Sequence, residues 1–391
     1  MSVIPKIEAF ADDLTEIRQD FHANPELGFE ETRTAGIVSA KLRDWGVDEV
    51  HEGIGGTGVV GVIKGQGGGN RRVGLRADMD ALPINEASGV AYASTNPGRM
   101  HACGHDGHTT MLLGAARYLA ETRDFDGTVV LIFQPAEEGL GGARRMIADG
   151  LFDRFPCDEI YGMHNDPNSE PGVVTVTPGP AMAGASFFDI TVKGTGSHAA
   201  MPQQSKDPIF IGTALVQQLQ GIVSRNTPPT KPIVLSVTTF NAGSAYNVVP
   251  GTATITGTIR YFHDDVIAMA EARMRALCEG LGQAHAVEIS VDLRNVFDVL
   301  MNDADLSEAY VAAAADIVGA KGARLTDDQM TGSEDFADML KLVPGAYCRV
   351  GHAGSVPLHN PAFVLDDAIL PVGASVYARI VETRLPKGGV R

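Results

Sequence analysis

The 391-residue chain contains only four cysteines, a single tryptophan and no long apolar segment. Cys103, Cys157, Cys278 and Cys348 are widely spaced, which is typical of reduced intracellular thiols and argues against a disulfide framework. The longest apolar runs, such as Val129 to Phe133, are far shorter than the ~20 residues that a membrane-spanning helix requires. We therefore expect a soluble globular protein without a membrane span.

Blocks of basic residues are also missing. The chain has 31 Lys and Arg against 48 Asp and Glu, which gives a formal net charge of −17. Nucleic acids and anionic membranes are bound by clustered Lys and Arg, so we expect neither as a partner. The N-terminal segment is acidic from Glu8 onward and lacks an apolar core of signal-peptide length. We expect the chain to be made and kept in the cytoplasm.

Short β-rich runs alternate with helical patterns between about residues 57 and 163. This alternation predicts an α/β domain whose sheet carries helices on both faces. In such sheets, ligands collect beyond the carboxyl ends of the strands. Asp78, Glu137 and His164 come at or just after the ends of three runs, so we expect them at one rim. The predicted elements are strands over Gly58 to Ile63, Arg72 to Ala77, Thr128 to Gln134 and Glu159 to Met163, and a helix from about Gly107 to Thr122.

A Gly- and Pro-rich stretch over Pro178 to Gly184 predicts a linker into a second domain. The elements that follow have the order β-α-β-β-α-β, the split βαβ pattern of a ferredoxin-like α+β domain. We predict a catalytic domain over 1–182 and 296–391, with this ferredoxin-like domain inserted over 183–295. The inserted elements are strands over Ser186 to Val192, Ile233 to Phe240, Thr252 to Arg260 and Ala286 to Leu293, and helices over Asp207 to Val223 and Val266 to Leu281. After about Phe297, a helix over Leu306 to Val318 and a strand over Gly345 to Val350 can return the chain to the first sheet.

The segment HACGHDGH, from His101 to His108, has the composition of a metal site. It holds three of the chain's 11 histidines together with a cysteine and an aspartate. Neutral imidazole and thiolate are ligands that Zn²⁺ favours, and only Gly104 separates Cys103 from His105. Taken alone, the segment also fits a loop of hydrogen-bonded histidines.

Further candidate ligands stand at other apparent strand ends: Glu137 and Glu138 in QPAEEG, His164 in YGMHN, and His359 in PLHNP. Together with the His101 loop, they point to a site for two metal ions. On a loop after a strand, one of two adjacent carboxylates can bind metal while its neighbour handles the proton of the attacking water. An isolated pair of glutamates also fits a solvated acidic turn.

The motifs, in the order in which they follow one another along the chain, are highly specific for one family. The chain resembles the aminoacylase and carboxypeptidase G-like family of co-catalytic metallopeptidases, and within it the N-acyl-amino-acid, hippurate and indole-acetyl-amino-acid amidohydrolases. The resemblance covers nearly the whole chain. The matching segments are DFHANPELGFEE (Asp20 to Glu31), GLRADMDALPI (Gly74 to Ile84), MHACGHDGHTTMLLGAA (Met100 to Ala116), QPAEEG (Gln134 to Gly139), GMHN (Gly162 to Asn165), GSHAAMPQQSKDP (Gly196 to Pro208), TGSEDFADM (Thr331 to Met339) and LHNPAF (Leu358 to Phe363).

The resemblance implies two divalent metal ions per subunit, of which Zn, Mn, Co and Ni are the candidates. It makes Glu137 the general base, which would return its proton to the leaving amine. The implied metal ligands are Cys103, His105, Glu138, His164 and His359.

The chain departs from the wider family at two places, and the subfamily shares both changes. Many relatives have a His-x-Asp ligand motif where this chain has Asp78-Met79-Asp80, and a bridging aspartate where it has Cys103. A thiolate is softer than a carboxylate and can be oxidised, so the metal preference of the aspartate-bridged enzymes does not carry over. We interpret Asp78 and Asp80 as residues that orient ligands or backbone, with a strand-end cap as the alternative.

The other polar residues of the His101 loop are expected to support the site rather than to bind metal. His101 and His108 are interpreted in this way. Asp106 is predicted to cap the helix that begins near Gly107. The segment Gly332 to Phe336 is expected to border the pocket, with Ser333 or Glu334 orienting a ligand or a substrate.

The resemblance also assigns roles within the inserted domain, which would act as a lid and as the contact of a homodimer or higher oligomer. In related dimers, the histidine that matches His198 reaches the neighbouring active site and stabilises the oxyanion. Asn247 in YNVVPG and Arg260 in GTIRYF match residues that hold the substrate carbonyl and its free carboxylate. From the residues alone, His198 and Arg260 also fit ordinary surface positions.

The resulting hypothesis is a metal-dependent amidohydrolase that cleaves N-acyl amino acids into a carboxylic acid and a free amino acid. Hippurate-like, acetyl and indole-acetyl conjugates are the candidate substrates. A metallo-carboxypeptidase or dipeptidase, an N-acyl-diaminopimelate deacylase and a binding protein without turnover are the alternatives. The chain shows no GxSxG elbow and no Walker lysine, which argues against a serine hydrolase and a P-loop enzyme.

Overall fold

The computed structural model describes residues 2–388, and their contacts divide them into two compact units. The first unit contains the residues up to Ala181, the segment Met301–Asp328 and the residues from Asp335 onward. The second unit contains Met182–Leu300 and Gln329–Glu334. No helix within residues 2–388 is both long and apolar enough to cross a membrane.

The chain begins in the first unit. Up to the crossing into the second unit, it forms six helices and seven strands within the described residues. These elements are α1 (Pro5–Glu8), α2 (Ala11–Ala23), α3 (Thr32–Asp44), β1 (Glu49–Ile54), β2 (Gly58–Lys64), β3 (Arg72–Asp78), α4 (His105–Thr122), β4 (Thr128–Gln134), α5 (Gly142–Ala148), α6 (Leu151–Arg154), β5 (Glu159–Asp166), β6 (Val174–Val176) and β7 (Gly179–Met182).

The second unit has the predicted β-α-β-β-α-β order, with two short strands added in its loops. Its elements are β8 (Gly184–Lys193), β9 (Ser197–His198), α7 (Pro208–Gly221), β10 (Ile233–Ala242), β11 (Val248–Val249), β12 (Thr252–Tyr261), α8 (Asp264–His285) and β13 (Glu288–Phe297). The four long strands form an antiparallel sheet in the order β10-β12-β8-β13. Alternate residues of β8, including Phe188 and Ile190, join residues of α7 and α8 in one apolar core. This is why apolar and polar residues alternate along the strand with a period of two.

The remaining elements return the chain to the first unit. They are β14 (Leu300–Asn302), α9 (Ala304–Val318), β15 (Ala323–Leu325), α10 (Phe336–Leu340), β16 (Gly345–Gly351) and α11 (Leu370–Arg384). The eight-stranded sheet of this unit has the order β1-β2-β4-β3-β5-β16-β6-β15, and β14 pairs with β7. Its central strands β4, β3, β5 and β16 are parallel, while β2 and β6 pair antiparallel to them. The predicted α/β class, with a helix-flanked mixed sheet and an inserted α+β part, is confirmed.

Helix α4 lies at the centre of the first unit and is buried along most of its length. Small residues allow it to approach its neighbours closely. A Cβ atom added at Gly114 would lie 2.9 Å from Cβ of Ala374 on α11 and 3.0 Å from Cδ1 of Leu14 on α2. This close packing fixes the helix whose first residue, His105, is a predicted ligand.

The parallel strands bring the predicted site residues to one edge of the sheet. Asp78 is the last residue of β3, and Glu137 follows β4 by three residues. The prediction that His164 follows the end of its strand is wrong, because β5 continues to Asp166. The reason is that β16 pairs with β5 through Gly351, which faces Asp166.

Candidate active site

The five predicted metal ligands lie together in the first unit. The donor atoms of Cys103, His105 and His164 all lie within 4.8 Å of one another, and so do those of Cys103, Glu138 and His359. Cys103 Sγ is 3.3 Å from Nε2 of His164 and 3.3 Å from Nε2 of His359. The two groups therefore share one atom, the Cys103 sulfur, and the donors of each group could hold a metal ion.

Glu137 adjoins these donors. Its carboxylate forms a further group with His105 and Glu138, again with donor atoms within 4.8 Å of one another. The side chain is 5% exposed, and the backbone N–H of Asp335 donates to its Oε1 at 3.4 Å. The predicted base is thus held next to the predicted ligands.

Asp80 connects two of the segments that carry the donors. Its Oδ1 lies 3.2 Å from Nδ1 of His105, and its Oδ2 accepts the backbone N–H of Glu138 at 3.0 Å. With Nδ1 engaged by a carboxylate, Nε2 of His105 is the nitrogen available to a metal ion. This Nε2 is buried and has no hydrogen-bond partner within residues 2–388, so the residues present fit a metal ion at this position.

The protonation of the donors also fits a site for cations. Burial and the Glu138 carboxylate raise the pKa of the Cys103 thiol. Hydrogen bonds with Cys103 and Glu138 raise the pKa of His359 to about 10. The negative charge of Glu138 thus favours a positive charge beside both groups. Because metal ions bind the deprotonated forms, binding would release protons from this site.

His108 has no ring nitrogen left for a metal ion. Its Nδ1 lies 2.6 Å from Oδ1 of Asp78, and its Nε2 accepts the backbone N–H of Asn165 at 2.9 Å. The Asn165 side chain in turn donates to the backbone carbonyl of Cys103 at 2.6 Å. These contacts favour the interpretation of His108 as a supporting residue, and they add Asn165, which sequence reasoning missed.

Asp78 is buried and ionised. Burial alone would raise its pKa, but His105, His108 and Arg76 hold it well below its usual range. Nη1 of Arg76 donates to Oδ2 of Asp78 at 2.7 Å. Asp78 therefore orients His108 and balances the charge of a buried arginine, which agrees with the supporting role expected for it.

The prediction that Asp106 caps helix α4 is wrong. Gly104 is the N-cap residue, with φ of 87°, and no side chain caps the helix. Asp106 lies in the first turn, and its Oδ2 is 2.8 Å from Nδ1 of His22 and 3.5 Å from Nη1 of Arg18. The glycine can adopt this left-handed conformation, which leaves the aspartate free to pair with buried cations of α2.

His101 is held neutral beside this ion pair. Burial lowers its pKa to about 4. Neither ring nitrogen has a hydrogen-bond partner in the described part of the chain. It belongs to neither group of predicted ligands, as expected.

Asp335 in the segment Gly332 to Phe336 also went unrecognised in the sequence. Its carboxylate accepts hydrogen bonds from Nη2 of Arg76 at 3.2 Å, Nε2 of Gln134 at 2.7 Å and the backbone N–H of Ala143 at 2.9 Å. Arg76 could have indicated such a residue in the sequence. It is a lone charge within an apolar strand, and a buried charge requires a buried partner. The roles predicted for Ser333 and Glu334 stay predictions.

Glu31 is a further unrecognised residue at this edge. It is fully buried, and its Oε1 accepts the backbone N–H of Ala136 at 2.8 Å. Ala136 has φ of 53°, a left-handed conformation that costs an L-residue about 1 kcal/mol or more. The turn that leads into Glu137 is therefore held from a segment 105 residues earlier in the chain.

The other predicted site residues lie in the second unit. His198 on β9 faces Val248 on β11, and the N–H of Ala199 donates to the carbonyl of Asn247 at 2.9 Å. This ladder brings His198 and Asn247, both exposed, to the same place. Arg260 lies on β12, elsewhere in the same unit.

Arg260 lines a groove of about 390 Å³ together with Phe187, Thr256, Thr258 and Arg294. Its guanidinium contacts the Thr258 hydroxyl and, within residues 2–388, has no carboxylate partner. Arg294 differs because it pairs with Asp189 and Asp292. Arg260 is therefore the arginine of this groove whose charge is available to an anionic ligand.

Several known proteins are similar to this chain over nearly its whole length. Residues 74–383 match Peptidase family M20/M25/M40. The hippurate hydrolase of Campylobacter jejuni is 41% identical over 380 residues, 97% of this chain and 98% of that protein. The IAA-amino acid hydrolase ILR1-like 4 of Arabidopsis thaliana is 37% identical, over 96% of this chain and 86% of its own. A solved structure from Bacillus subtilis, described as a dinuclear metal-binding peptidase of the M20 family, has a TM-score of 0.84 and 32% identity, with 97% of this chain and 99% of that chain covered.

The ion pair between His22 and Asp106 predicts a pH-dependent stability. Burial opposes the charged form of His22, but Asp106 and Glu86 outweigh it and raise the pKa to about 9. A histidine with a higher pKa in the folded state stabilises fully below pH ~6.5, and this contribution is lost as the pH rises through about 9. We expect His22→Gln to lower the free energy of unfolding by about 3 kcal/mol at pH 6 and by clearly less at pH 10, measured by urea unfolding.

The matched control is His51→Gln, at a half-buried position on the edge strand β1. It should change the free energy of unfolding by less than about 0.5 kcal/mol at pH 6. A loss for His22→Gln that is equal at both pH values would contradict a charged His22.

Proposed function

The chain is a member of Peptidase family M20/M25/M40, and we propose that it hydrolyses the amide bond of N-acyl amino acids. The family membership confirms the prediction made from the sequence motifs. The relatives named as hippurate hydrolase and IAA-amino acid hydrolase support the substrate class, because each acts on an acyl group joined to an amino acid.

The observation that carries the proposal is the pair of donor groups that share the Cys103 sulfur. We propose that Cys103, His105 and His164 hold one divalent ion, and that Cys103, Glu138 and His359 hold the second. Two bound ions would polarise the scissile carbonyl and make water acidic enough to lose a proton at neutral pH. Zn, Mn, Co and Ni are the candidates, since a thiolate with imidazoles suits transition metals better than Mg or Ca.

Glu137 supplies the proton transfers. Its carboxylate takes a proton from the attacking water as the oxygen bonds to the carbonyl carbon. When the C–N bond breaks, Glu137 gives that proton to the leaving nitrogen, so the products are a carboxylic acid and a free amino acid. The position of Glu137 beside His105 and Glu138 supports this role.

The second unit contributes the substrate contacts in this proposal. Arg260 binds the free carboxylate of the amino acid, consistent with a guanidinium that has no acidic partner within residues 2–388. Asn247 holds the substrate carbonyl. His198 stabilises the oxyanion of a neighbouring subunit's site in a homodimer. We expect the enzyme in the cytoplasm, which fits its widely spaced free cysteines.

A substrate panel tests the proposed function. The purified protein, supplied in turn with Mn²⁺, Zn²⁺, Co²⁺ or Ni²⁺, should release free amino acid from benzoylglycine, acetyl amino acids or indole-acetyl amino acids. We expect at least one of these to react faster than dipeptides and N-acyl-diaminopimelate, assayed in parallel. Faster cleavage of dipeptides would indicate a carboxypeptidase or dipeptidase, and inactivity with all four metals would favour a binding protein.

Mixing two inactive variants tests Glu137 and the dimer together. Glu137→Gln should lower kcat by at least about 100-fold and keep both metal ions, since the base is removed and the ligands stay. His198→Ala should also be inactive. If His198 acts on its partner's site, a mixed dimer has one complete site, so an equal mixture should regain about a quarter of wild-type activity after subunit exchange.

The readouts are the rate of amino acid release, the metal content and sedimentation. Full activity of Glu137→Gln would disprove the base. A fully active monomer, or a mixture that stays inactive although the subunits exchange, would remove the role of His198 in the neighbouring site.

A further inference from the structure

Ala136, the residue before Glu137, has a strained backbone conformation. Ala136 has φ of 53° and is fully buried. A Cβ atom at Gly28 would lie 3.0 Å from Cα of Ala136, so the two segments are packed too closely for a larger residue. A left-handed alanine persists only where its surroundings hold it.

Both polar backbone groups of Ala136 are held. Its carbonyl accepts the N–H of Gly142 at 3.0 Å, which closes the loop onto the start of α5. Its N–H donates to Oε1 of Glu31 at 2.8 Å, while Oε2 of Glu31 accepts the hydroxyl of Thr57. Glu31 is therefore the acceptor that fixes the left-handed turn.

Burying a carboxylate to hold a backbone N–H costs free energy. Glu31 is fully buried and has no ion-pair partner in the part of the chain that the structure describes. Burial raises its pKa to about 7, and the negative charge of Asp80 adds to the rise. Within the described residues, Glu31 is therefore held by hydrogen bonds from the Ala136 N–H and the Thr57 hydroxyl and by no counter-charge.

Glu31 and Asp80 act on the same loop. Glu31 holds the N–H of Ala136, and Asp80 holds the N–H of Glu138 at 3.0 Å. Glu137 lies between these two anchored peptide groups. Two buried carboxylates thus fix the backbone on each side of the residue proposed as the base.

We propose that Glu31 is a positioning residue for the catalytic base: by holding the Ala136 N–H, it sets the left-handed turn that places the Glu137 side chain beside His105 and Glu138. This rests on the role of Glu137 in the proposed function. The hydrogen-bond reach of the side chain matters here, and its charge does not.

Three substitutions distinguish the effect of the length of the Glu31 side chain from the effect of its charge. Glu31→Gln keeps an acceptor for the Ala136 N–H and a donor for Thr57, so kcat should stay within about threefold of wild type. Glu31→Asp keeps the charge but is one methylene too short, and Glu31→Ala removes the acceptor. Both should lower kcat at least about tenfold with KM within about twofold, because the displaced group is the base. Glu30→Ala, at the exposed neighbour paired with Arg99, is the matched control and should behave as wild type.

A second change tests the route through Ala136. Glycine adopts the left-handed conformation without a Cβ penalty, so it keeps the turn with less help from Glu31. The double variant of Glu31→Ala with Ala136→Gly should therefore regain at least about threefold in kcat over Glu31→Ala alone.

Two readouts do not depend on turnover. Both metal ions should remain bound in all Glu31 variants, and hydrogen–deuterium exchange over residues 135–142 should be faster in Glu31→Ala and Glu31→Asp, but not in Glu31→Gln. Wild-type kcat and exchange in Glu31→Asp would overturn the proposal, as would a loss of activity in Glu31→Gln equal to that in Glu31→Ala. If Glu31→Ala fails to fold, the contrast between Asp and Gln decides.

The proposed function can fail separately. If the wild-type protein cleaves no acyl amino acid, that proposal falls, while the exchange pattern still decides whether Glu31 holds the turn. If the wild type is active and the Asp and Gln variants exchange alike, only the inference about Glu31 is wrong.

Discussion

Carboxylates buried at the ends of the central strands persist only where hydrogen-bond donors meet them, and this requirement organises the site. Asp80 accepts from the backbone N–H of Glu138 and contacts the ring of His105, so it ties the loop after β4 to the start of α4. Asp78, at the end of β3, contacts His108 on α4 and accepts from Arg76 of its own strand. These contacts join segments that are far apart in the chain.

This support leaves one buried donor nitrogen without a hydrogen bond. Nε2 of His105 is buried without a hydrogen-bond partner in residues 2–388, and the Cys103 thiol contacts the imidazoles of His164 and His359. A polar cluster of this kind is stable when cations replace the protons it holds. The supporting carboxylates thus contact protein groups, and we propose that the donors bind the metal ions.

The sequence predicts the strands and site residues that depend on local patterns. Strand β4 has the predicted bounds, Thr128–Gln134, because an apolar run covered on both faces leaves a clear signal. The sequence could not place the residues whose role depends on a long-range contact. Asp106 looks like a helix cap but pairs with His22, 84 residues away, because Gly104 already turns the chain. Glu31 lies in a matched motif, yet its contact with Ala136 spans 105 residues and depends on a strained turn that no pattern reveals.

In the proposed site one thiol, that of Cys103, serves both metal ions, so the metal content per chain depends on it. Wild-type protein loaded with Zn²⁺ or Mn²⁺ and freed of excess metal should hold two ions. Cys103→Ala should retain almost none, since each donor group loses a member, whereas Cys348→Ala, at a buried cysteine of the same unit, should hold two. A folded Cys103→Ala variant that keeps two ions per chain would contradict the account.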